Sequence, residues 1–577
     1  MDELSRPAGN PDRPMGIVPL RHISRRAAVK RLSLAVAGGV LIPLAAACAQ
    51  QAPAPNKPAE PSKPAEAKPA AQSAAPKAEV KPAEPAKPVG EPKAGGTLKV
   101  AIIGEPPHLD PQFGTQTVTA DVMWHVYETL FARNSKEEAV PHLLEKYEAS
   151  ADGLSAKLML RRGVLFHDGK EMTATDVIAS LKRYGALAAR GKTILDRVET
   201  LGSSDKYAVD IKFKQPTAGI LPTFLSQRDA LIMSSETAEA FPKDKAIRPI
   251  GTGPYSLLEH VPDRHVRLGR FDKYSARTDP ADGSSGKRVA YVDEVRFIPV
   301  PEESVRVDGV GTGEYDYADT LAPDSYDRIK ALPNVSADIG KPYYWSVFHF
   351  NKKEGLFTNV KLRQAILAGL SIDPIARAAF GRPDFYRVGP EIAAPETAWY
   401  TDEGKDLYNK GDVEKAKSLM KDAGYAGEVV RILSTKEYPY NYNGALPFKQ
   451  QLEGMGFKVD LQVMDWATVG KRRADSKEFE IHVTGHSSYV HPVMQPYMAP
   501  TWPGWWVSEE RDKLASAIMA ETDLKKQMDL IRQIQALTYR EVPGIKYGEY
   551  FALRARSNKL QGMKNPSDPF FWNAWLA

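Results

Sequence analysis

Hydrophobic and polar residues alternate along residues 95 to 577 in two rhythms, and both recur. Around 412 to 424 the period is helical: Asp412 is placed to cap a helix in which Val413, Ala416, Leu419, Met420 and Ala423 share one face, and Gly424 ends it. A second helix, about 443 to 455, ends at Gly456. Phe457, Val459, Leu461 and Val463 then alternate with Lys458, Asp460, Gln462 and Met464, the period of a half-buried strand. Asn359 reads as the cap of a helix carrying Leu362, Ala365, Ile366 and Leu370, and Asp373-Pro374 as the cap and first residue of the next. Helices and strands that keep alternating argue for an α/β architecture.

The region from 152 to 185 is built differently. Leu154, Ala156, Leu158 and Leu160 alternate as a strand after the Asp152-Gly153 turn, and His167-Asp168-Gly169-Lys170 supplies a second turn. Thr173, with Asp176 three residues on, then caps a helix that buries Val177, Ile178, Leu181 and Tyr184 and ends near Gly185. The expectation is a hairpin followed by a helix.

The first 94 residues are not globular in pattern. Arg21, Arg25, Arg26, Lys30 and Arg31 precede an uncharged run of 16 residues, Leu32 to Ala47, broken by Pro43, which is the order of a secretory signal and too short a span for a bilayer. Ser24 to Lys30 resembles a twin-arginine export motif, and Ala45-Ala46-Ala47-Cys48 resembles a lipoprotein cleavage site. Cys48 is the one cysteine in the sequence, so no disulfide forms within the chain, and lipidation gives that solitary thiol a use. Residues 51 to 94 repeat Lys-Pro-Ala and Ala-Glu-Pro units without an aromatic residue, the composition of a disordered tether. At about 3.1 Å per residue in polyproline II it would reach on the order of 100 Å.

Charge adds little once this leader is set aside. Of 77 Lys and Arg and 72 Asp and Glu, 7 and 3 lie before Cys48, leaving 70 against 69. No basic stripe interleaved with aromatics points to nucleic acid.

Several segments of the body together resemble the peptide/nickel (oligopeptide/dipeptide-binding) class of extracellular solute-binding proteins that serve ABC importers. They are Gly95-Gly96-Thr97-Leu98; Leu160 to Lys170 with Thr173 to Val177; Pro249 to Tyr255; Val292 to Phe297; Phe348 to Asn351 with Val360 to Ala365; and Ala416 to Met420 before Ala423-Gly424-Tyr425. The resemblance implies a two-lobed α/β periplasmic-binding-protein fold with an extra subdomain in lobe I and a ligand cleft between the lobes. Residues 1–47 would be the export signal, 48–94 the tether, 95–340 with 545–577 lobe I (subdomain about 131–232) and 341–544 lobe II. The function implied is capture of a small organic solute by hinge closure and delivery to membrane permease subunits, by a periplasmic monomer leashed through lipid at Cys48. No catalytic residue, cofactor, metal or nucleic-acid partner is expected. His167 and Asp168 are read as scaffold.

Peptide-binding relatives carry a lobe II segment resembling Gly-Trp-x-Asp-Tyr-x-Asp-Pro, whose aspartate pairs with a peptide's α-amino group. The corresponding run here is Gly485 to Pro492, with Ser488 and His491 where the aspartates stand. Neither side chain replaces a carboxylate's bond to an ammonium, which argues against unmodified peptides. His482, His486 and His491 raise a nickel or metal-chelate alternative. Their spacing matches no closed site, and alternation assigns His482, with Glu480 and Thr484, to a solvated strand face. Aromatics are the better lead: Tyr343-Tyr344-Trp345, Tyr438, Tyr440, Tyr442, and Trp502 to Trp506. The candidate ligand residues are Tyr344, Trp345, His486, Ser488, Tyr489, His491 and Trp502, with Arg363 and Arg382 able to meet a carboxylate, a solvated or ion-paired role being the equal alternative for Arg363 on its helix. A secreted hydrolase is the rival class. Gly485-His486-Ser487-Ser488-Tyr489 misses the last glycine of a nucleophile elbow, Gly309 to Gly313 leads into Glu314 instead of completing a dinucleotide fingerprint, and no HExxH or P-loop is present.

Overall fold

A computed structural model describes residues 90–114, 116–241, 249–487, 491–563 and 569–577. The export signal, Cys48, and all of the tether but residues 90–94 lie outside the described residues, as do Ser488 and Tyr489.

An 11-stranded sheet organises the body. Its spatial order is Tyr255–Val261, His265–Arg270, Glu294–Pro299, Thr97–Ile102, Tyr317–Leu321, Gly544–Ser557, Val335–Phe350, Ile481–Ser487, Val429–Ser434 and Lys458–Val463, with the short Tyr386–Arg387 pairing to Gly544–Ser557. Thr97–Ile102 is parallel to both its neighbours, and so is Val429–Ser434. Two long antiparallel strands in the middle, Val335–Phe350 and Gly544–Ser557, run through both halves. Their pairing holds from Val335↔Ser557 to Gly340↔Ala552 and resumes at Tyr344↔Tyr550, so the extra residues loosen the ladder where the halves meet.

Each half has its own core. On the far side of the crossing, Phe348, Phe350, Ile432, Ile481 and Val483 pack against the helices Val360–Gly369, Ile372–Phe380 and Pro439–Met455 through Ile366, Ile375 and Phe448. The other face of Val335–Phe350, at Trp345 and Val347, is covered by Ile531, Ile534 and Leu537 of the helix Leu524–Glu541. On the near side, Leu98, Val100, Val295, Phe297 and Tyr317 form a further core. At about 1.5–3 kcal/mol for each large side chain removed from water, such clusters are the main stabilising term.

A separate antiparallel sheet of four strands runs Leu144–Ala149, Ser155–Leu160, Ala208–Phe213, Val198–Asp205 and packs on the helix Ala174–Leu187. Its hairpin and cap follow the sequence reading. Thr173 and Asp176 form a reciprocal capping box, and Gly169 turns the chain at φ 85°. The helix itself runs two residues past Gly185. His167 then ties this unit to the main body: its Nε2–H donates to Gly253 O at 3.0 Å and its Nδ1 accepts from Gly251 N at 3.2 Å. Gly251 and Gly253 let the loop approach that closely, because an added Cβ would come within 2.1 Å of Val126 O and 2.5 Å of His125 O.

Three local expectations change. The helix expected at about 443 begins at Pro439, which places Tyr440 and Tyr442 in its first turns. Asp373 is not a cap, since the helix Ile372–Phe380 starts after Ser371. Its orphan N–H groups are met from a distance, Ile372 N by Asn409 Oδ1 at 2.6 Å and Ser371 N by Gln451 Oε1 at 2.8 Å. His482 lies on no solvated face: it is 0 % exposed, because its strand is interior to the sheet and both faces are covered.

Candidate functional site

The loosened crossing gathers partly exposed rings. Tyr344, Tyr550 and Tyr386 stand in register across three strands, and Tyr550 contacts Tyr344 at 5.8 Å, Tyr343 at 5.7 Å and Tyr440 at 4.8 Å between centroids. The contacts continue from Tyr440 to Tyr438 at 5.8 Å and from Tyr438 edge-on to Trp466 at 5.2 Å. Beyond Trp466, the Arg473 guanidinium lies 4.9 Å over the Trp466 ring and 5.7 Å from Trp502. At the other end, Arg554 sits 5.8 Å from the Tyr343 ring and is ion-paired to Asp319 at 2.7 Å. The result is a ribbon of rings across the junction of the two halves, every member at least partly open to solvent. A contiguous aromatic surface bounded by a few polar groups is how a protein builds a place for an organic solute.

Behind the ribbon lies a buried histidine cluster. His349 and His486 approach Nε2 to Nε2 at 2.8 Å, so one imidazole donates and the other accepts. His482 stacks on His349 and meets Pro503 O at 3.2 Å through Nε2. Burial and the Arg473 charge push His486 down to about 3, and burial together with the other imidazoles holds His349 well below its ordinary value. Burial thus favours the neutral form of all three imidazoles. No group of three or more His, Cys, Asp or Glu among the described residues could hold a metal ion.

The expected residues fall into separate places. Tyr344 belongs to the ribbon, and Trp502 lies between it and the histidines, 5.4 Å from His486. Trp345 points to the opposite face from Tyr344, 4 % exposed, where it packs with Ile392 and Tyr497 and meets the His486 ring at 5.0 Å between centroids, so that Trp345, His486 and Trp502 are brought together. His491 is buried against Trp399 at 4.5 Å, its Nδ1 accepting from Val493 N. Arg363 is committed to structure: its guanidinium donates to the carbonyls of Phe357, Thr358, Glu541 and Val542. It thereby holds the turn at Val542, a β-branched residue forced to φ 48°. Arg382 lies at the surface in ion pairs with Asp327 and Asp384. Arg473, Trp466 and Tyr550 were not foreseen. The spacing of Trp466 and Arg473, two helical turns apart behind the Asp465 cap, was the signal available.

Two halves joined by paired strands, with an aromatic surface near the junction, are the build of a ligand-capturing protein of the two-lobed class. The chain belongs to the bacterial extracellular solute-binding proteins of family 5, whose model matches residues 138–538. It is 27% identical over 484 residues to a probable peptide ABC transporter periplasmic-binding protein of Sinorhizobium fredii, covering 81% of this chain and 91% of that one. Among solved structures, it superposes with a TM-score of 0.67 and 23% identity on a periplasmic binding protein from Helicobacter pylori in complex with the peptide STSA, covering 84% of this chain and 98% of that one. An agropinic acid complex of a periplasmic binding protein from Agrobacterium tumefaciens R10 gives a TM-score of 0.67 at 22% identity, covering 84% and 99%. The fold is therefore the two-lobed α/β binding-protein fold, and the chain is an extracytoplasmic solute-binding protein. No described helix is long and apolar enough to cross a membrane.

Proposed function

We propose that the protein is the capture subunit of an ABC importer, closing two lobes around a small organic solute at the aromatic ribbon and passing it unchanged to membrane permease subunits. Lobe I would comprise 95–340 and 545–577, lobe II 341–544, with the crossing strands as hinge. The observation that carries this reading is the ribbon's position: it runs from Arg473 in one lobe to Arg554 in the other across the loosened ladder between Gly340 and Tyr344. A ligand that rests on the rings of lobe II and also meets lobe I favours the closed arrangement by its contacts with both. Met494 and Met519, from beyond the crossing, already pack into the core of the four-stranded unit, which supplies a surface for such closure. Export by the leader, cleavage before Cys48 and lipidation there would leave the body on a long leash at the membrane.

The relatives include binders of a peptide and of agropinic acid. Here Ser488 and His491 replace the ammonium-pairing carboxylates, so unmodified dipeptides should bind poorly. Native mass spectrometry of the protein purified from its own cells tests the reading: a bound small molecule is expected, released unaltered on unfolding. Turnover of that molecule, or calorimetry showing micromolar affinity for plain dipeptides, would count against it. Membrane retention that is lost in Cys48→Ser tests the anchor.

A further inference from the structure

Trp505 is held at φ 45°, directly after Gly504 at φ 114°, and among the described residues it is the one aromatic side chain in the left-handed region. That region drives Cβ toward the following carbonyl, so glycine or asparagine enters it readily and a bulky ring does not. Glycine suits position 504 in space as well, because a Cβ there would come within 3.1 Å of Phe350 O and 3.3 Å of Lys352 Nζ.

The surroundings hold this turn from several directions. Lys352 N–H donates to Gly504 O at 3.1 Å, while its ammonium donates to Phe350 O at 2.8 Å and Pro543 O at 2.9 Å. His482 Nε2 meets Pro503 O at 3.2 Å. The Trp505 ring lies 6.0 Å from Phe479 between centroids, packed on the small core of Leu433, Val469 and Phe479, with the Lys353 ammonium 5.3 Å over it. The next side chain, Trp506, enters a different core, where it stacks on Tyr497. Strained backbone persists only where neighbouring structure fixes it, and such places cluster at functional sites.

What the turn fixes is Trp502. Trp505 N–H donates to Trp502 O at 2.8 Å, which closes the turn, and Trp502 N–H donates to Ala499 O at 3.1 Å. The Trp502 ring is thereby set 4.8 Å from His349, 5.3 Å from His482 and 5.4 Å from His486, with Arg473 at 5.7 Å. The same small core carries Trp466 directly, so two tryptophans at one end of the ribbon share one support.

We infer that Trp505 is a positioning residue of the solute site: its ring, anchored on Phe479, imposes the strained turn that holds Trp502 in place before the solute arrives. The part of this inference that concerns the solute rests on the capture reading above. Holding the ring in advance removes the ordering cost from binding.

The test labels the purified chain with fluorotryptophan and follows it by fluorine NMR, assigning Trp502 among the 9 tryptophans as the signal that Trp502→Phe removes. The solute probe is the small-molecule fraction that unfolding releases from the parent protein, added back to each variant and read as bound mass by native mass spectrometry. In Trp505→Gly the Trp502 signal should broaden and move toward that of free fluorotryptophan, and affinity for the released fraction should fall about tenfold. The melting temperature should shift by less than about 3 °C, since strain relief and lost ring packing oppose each other. Trp505→Phe keeps a ring on Phe479 and should restore the Trp502 signal, with affinity within about twofold of the parent. A Trp502 signal that Trp505→Gly leaves in place, or an affinity it leaves within about twofold, would overturn the inference while the capture function stands. A Trp505→Gly chain that does not fold would also overturn it, by making Trp505 a core residue. If the parent releases nothing, the capture reading fails on its own test, and the Trp502 signal still decides whether Trp505 positions that ring.

Discussion

Arg288 and Arg473 both lay a guanidinium on a tryptophan, in opposite halves of the molecule, and they differ in what answers the charge. Arg288 lies 4.3 Å over Trp572, donates to Ser284 O at 2.8 Å and meets Glu128 Oε1 at 3.3 Å, with its side chain 0% exposed. Glu128 in turn accepts from His142 at 2.7 Å, Tyr274 at 2.6 Å and Thr252 at 2.9 Å. Burial alone would raise that carboxyl, but His142, Arg288 and Tyr274 together bring it down to about 2. Arg473 has the aromatic frame, and among the described residues no carboxylate meets it. A charge that holds a fold together is satisfied from within the fold.

The broadest way to break this comparison is acid, which acts on both halves. Burial first, and neighbouring charges after it, hold His125 and His142 at about 4; burial holds His486 and His491 at about 3. Each is neutral when folded and titrates near 6.5 when unfolded, so the unfolded chain takes up more protons below that value. Their stabilisation is complete above about pH 6.5 and is lost as pH falls toward 3, at up to about 1.4 kcal/mol per unit for each group. The melting temperature should be flat above pH 7 and fall steeply between 6 and 4. A flat profile down to pH 4 would show that these histidines are not held neutral.

Next in size is Arg288→Ala. It strands the Glu128 carboxylate in a buried network, and the expected loss is on the order of 3–5 kcal/mol in urea unfolding at pH 7. Glu128→Gln in the same background should recover part of it, because the stranded charge is then gone.

The scaffold of this argument was legible in the sequence where the signals are local. Thr173 with Asp176, Asp412, Asn359 and Gly456 announce helix ends through residues within four positions, and each does what its spacing predicts. The misreadings have long-range causes. Asn409 and Gln451 cap Ile372 and Ser371 across 37 and 80 residues, and no local pattern contains that bond. His482 alternates like a half-exposed strand residue, but the alternation cannot say that a second layer, from Pro503 and Trp502, covers it. At the site, Tyr344, Trp502, Tyr438 and Tyr440 stood out as aromatics in clusters, whereas Tyr550 sits singly at the far end of the chain and joins them only through strand register. Arg363 was indistinguishable in sequence from Arg473, since what separates them is whether carbonyls reach the guanidinium.

A smaller effect calibrates the same method on a purely structural feature. Thr173→Ala removes the side chain that accepts from the third turn position of the helix Ala174–Leu187, and should cost about 1 kcal/mol without changing solute affinity. A change in affinity would mean that the four-stranded unit is coupled to the ribbon more tightly than its distance in the fold implies.

The smallest expected change in stability is the sharpest test of the contrast. Arg473→Gln removes a cation that no described residue pairs with, so no carboxylate is stranded and no buried carbonyl loses its donor. Relieved of a desolvated charge but deprived of its stacking on Trp466 and Trp502, the protein should unfold within about 0.5 kcal/mol of the parent. The variant should also let the His486 pKa rise, since the Arg473 charge is one of the two causes that depress it, and an NMR titration of the imidazole reads this directly. A loss as large as that expected for Arg288→Ala would place Arg473 among the charges that hold the fold, and the difference between the two arginines would disappear.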